Sequence, residues 1–114
     1  MVRLYGIPNC DTMKKARQWL TEQGIDYEFH DYKKLGIDEK RLRQWVSQVG
    51  WETLLNRRGM MWRKLDDTVK NDIDEASAIR VMLATPSIIK RPVMELGKSL
   101  HVGFKPGDYE KIFG

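Results

Sequence analysis

The sequence contains a single cysteine, Cys10, among its 114 residues. One cysteine excludes a disulfide within the chain, which agrees with a reducing compartment. No apolar run approaches the ~20 residues that a membrane-spanning helix requires. The first residues have neither a secretory nor a transit-peptide pattern. These absences predict a cytoplasmic protein that does not enter the membrane.

Histidine is also scarce, and its two occurrences do not form a metal-ligand pattern. His30 and His101 lie far apart in segments typical of strands. A metal site requires three or four ligands with suitable spacing, and neither histidine has such neighbours. We therefore expect both to be structural, with no metal site and no bound cofactor.

The charged residues make up 32% of the chain and give a net charge of +4. Basic and acidic side chains are mixed along the sequence, for example at residues 38–43. Mixed charge of this kind is typical of a solvated surface and not of a nucleic-acid stripe. We therefore expect no nucleic-acid partner.

The first third of the chain has the pattern of a β-α-β unit. Residues 2–6 are typical of a short strand, and a helix beginning near Cys10 or Asp11 should end at Gly24. Residues 25–32 alternate apolar and polar side chains, which predicts a half-buried strand. A crossover of this length favours a right-handed connection and a parallel strand pair.

The middle of the chain is predicted to be helical, and strands return after it. Asp38 and Asp74 are suitable N-caps for two longer helices, and residues 60–65 favour a short one. Strands at 93–96 and 100–102 should form a hairpin.

Pro106 suits the first position of a final helix. The pattern predicts one α/β domain. Its core comprises residues 1–34 and 86–114, and its helical insert residues 35–85.

Cys10 is the strongest candidate for chemistry. A free cysteine is often a buried apolar residue, but Asn9 and Asp11 flank this one. The predicted N-cap position places backbone N–H groups and the helix dipole where they stabilise a thiolate. With no second cysteine in the chain, a thiol from outside must complete any redox cycle.

Three short segments of the sequence occur together in a combination that is specific. They are residues 8–10 (Pro-Asn-Cys), residues 54–58 (Leu-Leu-Asn-Arg-Arg) and residues 86–93 (Pro-Ser-Ile-Ile-Lys-Arg-Pro-Val). In this order they resemble the thioredoxin-fold arsenate reductases of the glutaredoxin-coupled type, and most of all the small YffB-type branch. The resemblance implies a thioredoxin-like α/β fold, β-α-β then β-β-α around a mixed sheet, with a helical insertion between the halves.

The resemblance also implies roles for individual residues. Cys10 matches the nucleophile, Arg91 the oxyanion-binding arginine, and Pro92 the cis-proline that follows that arginine. Either Arg57 or Arg58 matches the arginine of the insert, because two registers are open. Arginine suits these roles because its planar guanidinium is always charged and binds anions through two donors.

The residues next to this set differ from the family pattern. The arsenate reductases carry Gly-Thr-Ser-Arg after the cysteine, where this chain has Asp11, Thr12, Met13 and Lys14. Lys105 stands near the place of a third arginine, although lysine is a point charge without the bidentate fork. We expect Thr12, Lys14 and Lys105 to help bind the anionic part of a substrate. Asp11 should oppose thiolate formation, so nearby cations must outweigh it.

The function implied is a glutathione- or glutaredoxin-dependent thiol reductase. Cys10 would attack an oxyanion such as arsenate or a glutathione mixed disulfide, and an external thiol would reset it. Glutathione is then a co-substrate, and a monomer is expected. The alternative is a regulator of the Spx type, which shares the fold and binds RNA polymerase or another protein without catalysis. Such regulators often carry a second cysteine where this chain has Met13, so their disulfide switch is excluded here.

Overall fold

The structure, a computed structural model, describes every residue from Met1 to Gly114. The chain forms two compact units: Met1–Asp31 with Arg91–Gly114, and Tyr32–Lys90. The strands are β1 (Val2–Gly6), β2 (Tyr27–Asp31), β3 (Val93–Leu96) and β4 (Ser99–Val102). The helices are α1 (Asp11–Glu22), α2 (Tyr32–Leu35), α3 (Glu39–Val49), α4 (Trp51–Leu54), α5 (Met60–Arg63), α6 (Asp67–Asn71), α7 (Glu75–Ala84) and α8 (Pro106–Phe113). A short 3-10 helix occupies Pro86–Ile88.

The first unit is built on a mixed sheet with the order β2-β1-β3-β4. Strand β1 pairs in parallel with β2, as predicted, and antiparallel with β3. Strands β3 and β4 form the predicted hairpin, in which Ser99 already pairs with Leu96. The turn is therefore two residues long, and β4 begins one residue before the predicted start.

One face of this sheet carries the core of the first unit. Met13, Ala16 and Leu20 of α1 are fully buried at helical spacing. They pack with buried side chains of the sheet and of α8, which are Val2, Leu4, Met94 and Tyr109. Burial of this apolar area supplies the main driving force for docking the helices.

The predicted end of α1 is confirmed at Gly24. Its φ of 69° lies in the left-handed region, which glycine enters without steric cost. The preceding Gln23 donates its N–H to the carbonyl of Trp19 over 3.0 Å. The chain can therefore turn directly from α1 toward β2.

The second unit contains the two longer helices whose caps the sequence predicts. The Asp38 carboxylate accepts a hydrogen bond from the N–H of Arg41 over 3.0 Å, at the start of α3. Asp74 and Ser77 exchange hydrogen bonds in a capping box at the start of α7. Both predicted N-caps are confirmed.

One local prediction is wrong. Tyr32 ends a predicted strand, but it begins α2, because its buried hydroxyl donates to the carbonyl of Ile89 over 2.7 Å. Pro86 begins a 3-10 helix over residues 86–88, an element that the sequence patterns do not predict. Helix α6, capped by Asp66, lies in a segment too polar to show apolar periodicity.

None of the eight helices combines the length and the apolar character needed to cross a membrane.

Candidate active site

The turn between β1 and α1 holds Cys10 at the N-terminus of the helix. Its backbone is extended, with φ −142° and ψ 130°, and it is the N-cap of α1. Its carbonyl accepts the N–H of Lys14 over 2.9 Å, which is the first hydrogen bond of the helix. Thr12 and Met13 therefore occupy the N2 and N3 positions, whose N–H groups point toward an N-cap side chain.

Sheet pairing brings Arg91 to the same end of β1. Val93, the first residue of β3, pairs with Tyr5 near the end of β1. Because the two strands are antiparallel, the residues just before β3 lie near those just after β1. The Arg91–Pro92 peptide bond is cis, and the Pro92 carbonyl accepts the N–H of Gly103 over 2.8 Å. The segment that presents Arg91 is thus tied to both neighbouring strands.

Opposing influences act on the Cys10 thiol, which is half-buried against the core of the first unit. Burial raises its pKa, because a buried thiolate is poorly solvated. Hydrogen bonds from the Met13 N–H, the Arg91 guanidinium and the Thr12 N–H lower the pKa, as does the charge of Arg91. The balance leaves the pKa below its ordinary value.

These contacts stabilise the thiolate form of Cys10 more than its thiol form. Cys10 makes no close side-chain capping hydrogen bond. Contacts from N–H groups to sulfur are longer than those to oxygen, and they strengthen when the sulfur is charged. The arrangement therefore stabilises the reactive form of Cys10.

The structure brings Cys10, Thr12 and Arg91 together. Lys14 is exposed in the first turn of α1, and Lys105 is the exposed N-cap of α8. The carbonyl of Lys105 accepts the N–H groups of Asp108 and Tyr109. For both lysines, a part in substrate binding stays a prediction.

Arg57 and Arg58 lie in the second unit and have different surroundings there. The Arg57 guanidinium stacks on two indoles, 4.8 Å from the ring centroid of Trp51 and 5.6 Å from that of Trp62. The N–H of Arg58 donates to the Asn56 side chain over 3.0 Å, and the Arg58 side chain is exposed. Which arginine binds an anion stays a prediction.

Met13 lowers the pKa of Cys10 through its backbone N–H, which the sequence analysis does not consider. The signal was present, because the N3 residue of a helix regularly donates to the N-cap side chain. Once Cys10 is placed at the N-cap, counting three residues forward identifies Met13.

The two histidines have local partners. His30 packs its ring 5.0 Å from that of Tyr5, and the Nε2 atom of His101 lies 3.2 Å from the Ser99 hydroxyl. The structure contains no group of three or more histidine, cysteine or acidic side chains that could hold a metal ion.

Comparison with known proteins gives consistent matches over nearly the full length. The model of the ArsC family matches residues 5–112. The structure of the YffB protein superimposes with a TM-score of 0.93 at 58% identity and covers 97% of each chain. An arsenate reductase (ArsC) related protein from Brucella melitensis gives a TM-score of 0.81 at 56% identity, over 98% of this chain and 93% of that one.

A further relative is a regulator. The global transcriptional regulator Spx of Streptococcus agalactiae is 26% identical to this chain. The similarity covers 97% of this chain and 88% of the regulator.

Proposed function

Because this chain belongs to the ArsC family, with the thioredoxin-like fold of its structural neighbours, we propose that it is a glutathione-dependent thiol reductase. Cys10 is the only nucleophile that the protein supplies to the cycle, and an external thiol restores it. Two N–H groups at the start of α1 and the Arg91 guanidinium all lower the pKa of one thiol, and this convergence carries the proposal.

The proposed cycle has two thiol–disulfide exchanges. The Cys10 thiolate attacks the glutathione sulfur of a mixed disulfide, forming a Cys10–glutathione disulfide and releasing the other thiol as a thiolate. A second glutathione thiolate then attacks the glutathione sulfur on Cys10. Glutathione disulfide leaves, and the electron pair of the broken bond returns to the Cys10 sulfur. The enzyme is unchanged: the incoming glutathione thiolate is oxidised to a disulfide sulfur, and the other sulfur of the mixed disulfide is reduced to the released thiolate.

The side chain of Arg91 suits the anionic part of this substrate. Glutathione carries carboxylates, and an arginine binds a carboxylate through two parallel hydrogen bonds. An oxyanion such as arsenate presents similar acceptors, so arsenate is the competing substrate. The mixed disulfide is favoured because Met13, Lys14 and Lys105 replace the residues that the arsenate reductases carry.

The test is glutathione-coupled turnover of a small-molecule glutathione mixed disulfide and, separately, of arsenate. We expect turnover of the mixed disulfide by the wild-type protein and none by Cys10→Ser. Arg91→Gln should lower kcat/KM about tenfold to a hundredfold, the range for losing a hydrogen bond to a charged group. Arg91→Lys should recover only part, because lysine lacks the bidentate fork.

Arg43→Gln is the matched control for these substitutions. Arg43 is exposed and pairs only with Glu39 on the same helix, so its loss should leave turnover unchanged. Turnover of neither substrate, or equal turnover by the wild type and Cys10→Ser, would contradict the proposal.

A second candidate function is regulation through protein binding, favoured by the similarity to Spx over nearly the whole chain. In that case Cys10→Ala protein should bind purified RNA polymerase as tightly as the wild type does. Binding of this kind without Cys10-dependent turnover would favour the regulator over the reductase.

A further inference from the structure

The end of β1 and the first turn of α1 meet through a contact between Gly6 and Met13. Gly6 is buried, and Met13 is fully buried. A Cβ added to Gly6 would collide with the Sδ and Cε atoms of Met13 and lie 3.2 Å from its Cγ. The thioether of Met13 therefore lies directly on the Cα of Gly6, in space that any larger residue would fill.

This contact joins a fixed element to the element that carries the thiol. Gly6 is held in the sheet, where it pairs with Asp31 of β2. Met13 is the N3 residue of α1, three positions after the N-cap Cys10. Its side chain fixes where the first turn lies against β1, and its N–H belongs to that same turn.

We propose that Met13, seated on Gly6, is a positioning residue for the Cys10 thiolate. This inference rests on the proposed function, since it concerns the same sulfur. The contact holds the first turn of α1 so that the Thr12 and Met13 N–H groups stay directed at the sulfur. If the first turn of α1 is displaced, these N–H groups are no longer directed at the sulfur. The side chains that would contact a substrate are all still present.

If Met13 only filled the core, its replacement would lower the stability of the protein and leave the pKa of Cys10 unchanged. Leu20 is equally buried in α1, two turns further along the helix. Loss of its side chain should lower stability and leave the thiol unaffected. Replacing Met13 should change both the stability and the pKa of the thiol, because its contact with Gly6 belongs to the turn that carries the N–H donors.

The test measures the pH dependence of alkylation by iodoacetamide, which labels only Cys10 because the chain has no other cysteine. In Gly6→Ala the added methyl meets the end of the fully buried Met13 side chain, which must shift to make room. The midpoint is the pH at which the alkylation rate constant reaches half of its maximum, and we expect it to rise in this variant. The rate constant at pH 7 should fall about threefold to tenfold, because a smaller fraction of Cys10 is then thiolate.

Compensation in a double variant gives the sharpest comparison. In Gly6→Ala/Met13→Ala the shortened side chain leaves room for the added methyl, so the midpoint should rise less than in Gly6→Ala alone. Gly107→Ala is the matched glycine control, because a Cβ there meets nothing within 4 Å. Leu20→Ala is the control for lost stability, and both controls should keep the wild-type midpoint.

The outcomes separate this proposal from the proposed function. A low wild-type midpoint that Gly6→Ala leaves unchanged overturns the positioning role alone. A Leu20→Ala shift as large as that of Gly6→Ala also overturns it, since general destabilisation would then explain both. A wild-type midpoint at the value of free cysteine overturns both proposals. If Gly6→Ala does not fold, Met13→Ala decides: a raised midpoint supports the proposal and an unchanged one contradicts it.

Discussion

At the residue scale, the pKa of Cys10 depends on groups from two distant parts of the chain. Burial makes the thiolate less favourable, and hydrogen bonds from Met13, Arg91 and Thr12 make it more favourable. Asp11 was expected to oppose the thiolate, and the pKa is lowered nevertheless. A lone acidic neighbour on an exposed helix position is screened by solvent, whereas the donors next to the half-buried thiol are screened less.

The lowered pKa of Cys10 predicts a pH-dependent stability. A group whose pKa is lower in the folded state contributes stability that is present above its unfolded pKa. That contribution is lost as the pH falls through the folded pKa. We therefore expect the free energy of unfolding of the wild type, relative to Cys10→Ser, to increase as the pH rises toward the ~8.5 at which an unfolded cysteine titrates. Urea unfolding of both proteins across this range measures the difference, and a difference independent of pH would contradict the account.

Arg57 and Arg58 are predicted to differ when each is replaced by alanine. Arg57 stacks on two indoles, and cation–π contacts contribute about 0.5–1 kcal/mol at exposed sites. Arg57→Ala should therefore lower the urea midpoint. Arg58, whose side chain is exposed, should tolerate alanine in stability but lose turnover, if it is the anion-binding residue. Turnover lost in Arg57→Ala alone would assign the role to Arg57.

At the scale of the element, helix caps were the most predictable feature. Asp38, Asp74 and Gly24 mark helix ends through local hydrogen bonds and backbone geometry, and all three lie where the sequence places them. Tyr32 was misassigned to a strand, because the contact that decides its conformation is with Ile89, far away in the chain. Sequence patterns reflect interactions between residues that are close in the chain. Contacts between distant residues can override the secondary structure that these patterns favour.

Helix α8 offers a prediction that depends on one element only. Gly107 is exposed in its first turn, and a Cβ at this position meets nothing within 4 Å. Alanine loses less backbone entropy than glycine on entering a helix. Gly107→Ala should therefore raise the free energy of unfolding by about 0.4–1 kcal/mol. Urea unfolding checks this, and a loss of stability would mean that the start of α8 is not helical.

At the scale of the whole molecule, the site depends on strand pairing between the two ends of the sequence. The antiparallel pairing of β1 with β3 brings Arg91 to Cys10. Residue patterns predicted a strand in each place but not their register, since neither strand is long enough to specify a partner. The resemblance of residues 86–93 to a known motif identified Arg91, and the register of β1 and β3 explains its position.

The stability of the whole molecule should depend on buried leucines and not on exposed ones. Leu4 lies fully buried in β1, whereas Leu35 is 66% exposed. Leu4→Ala should cost about 2–5 kcal/mol, because it leaves a cavity in the core. Leu35→Ala, the same chemical change, should stay within about 0.5 kcal/mol. Chemical unfolding of both variants tests this, and equal losses would contradict the assignment of the core.

The central claim is that Arg91 and the start of α1 lower the pKa of Cys10 and so favour its thiolate. Thiolate absorbance in the ultraviolet, followed against pH in wild type, Arg91→Gln and the Arg43→Gln control, tests it most directly. The account predicts a wild-type midpoint below the ~8.5 of free cysteine. It also predicts a higher midpoint in Arg91→Gln and no change in Arg43→Gln. A wild-type midpoint at the free-cysteine value, or one that Arg91→Gln does not move, would contradict it.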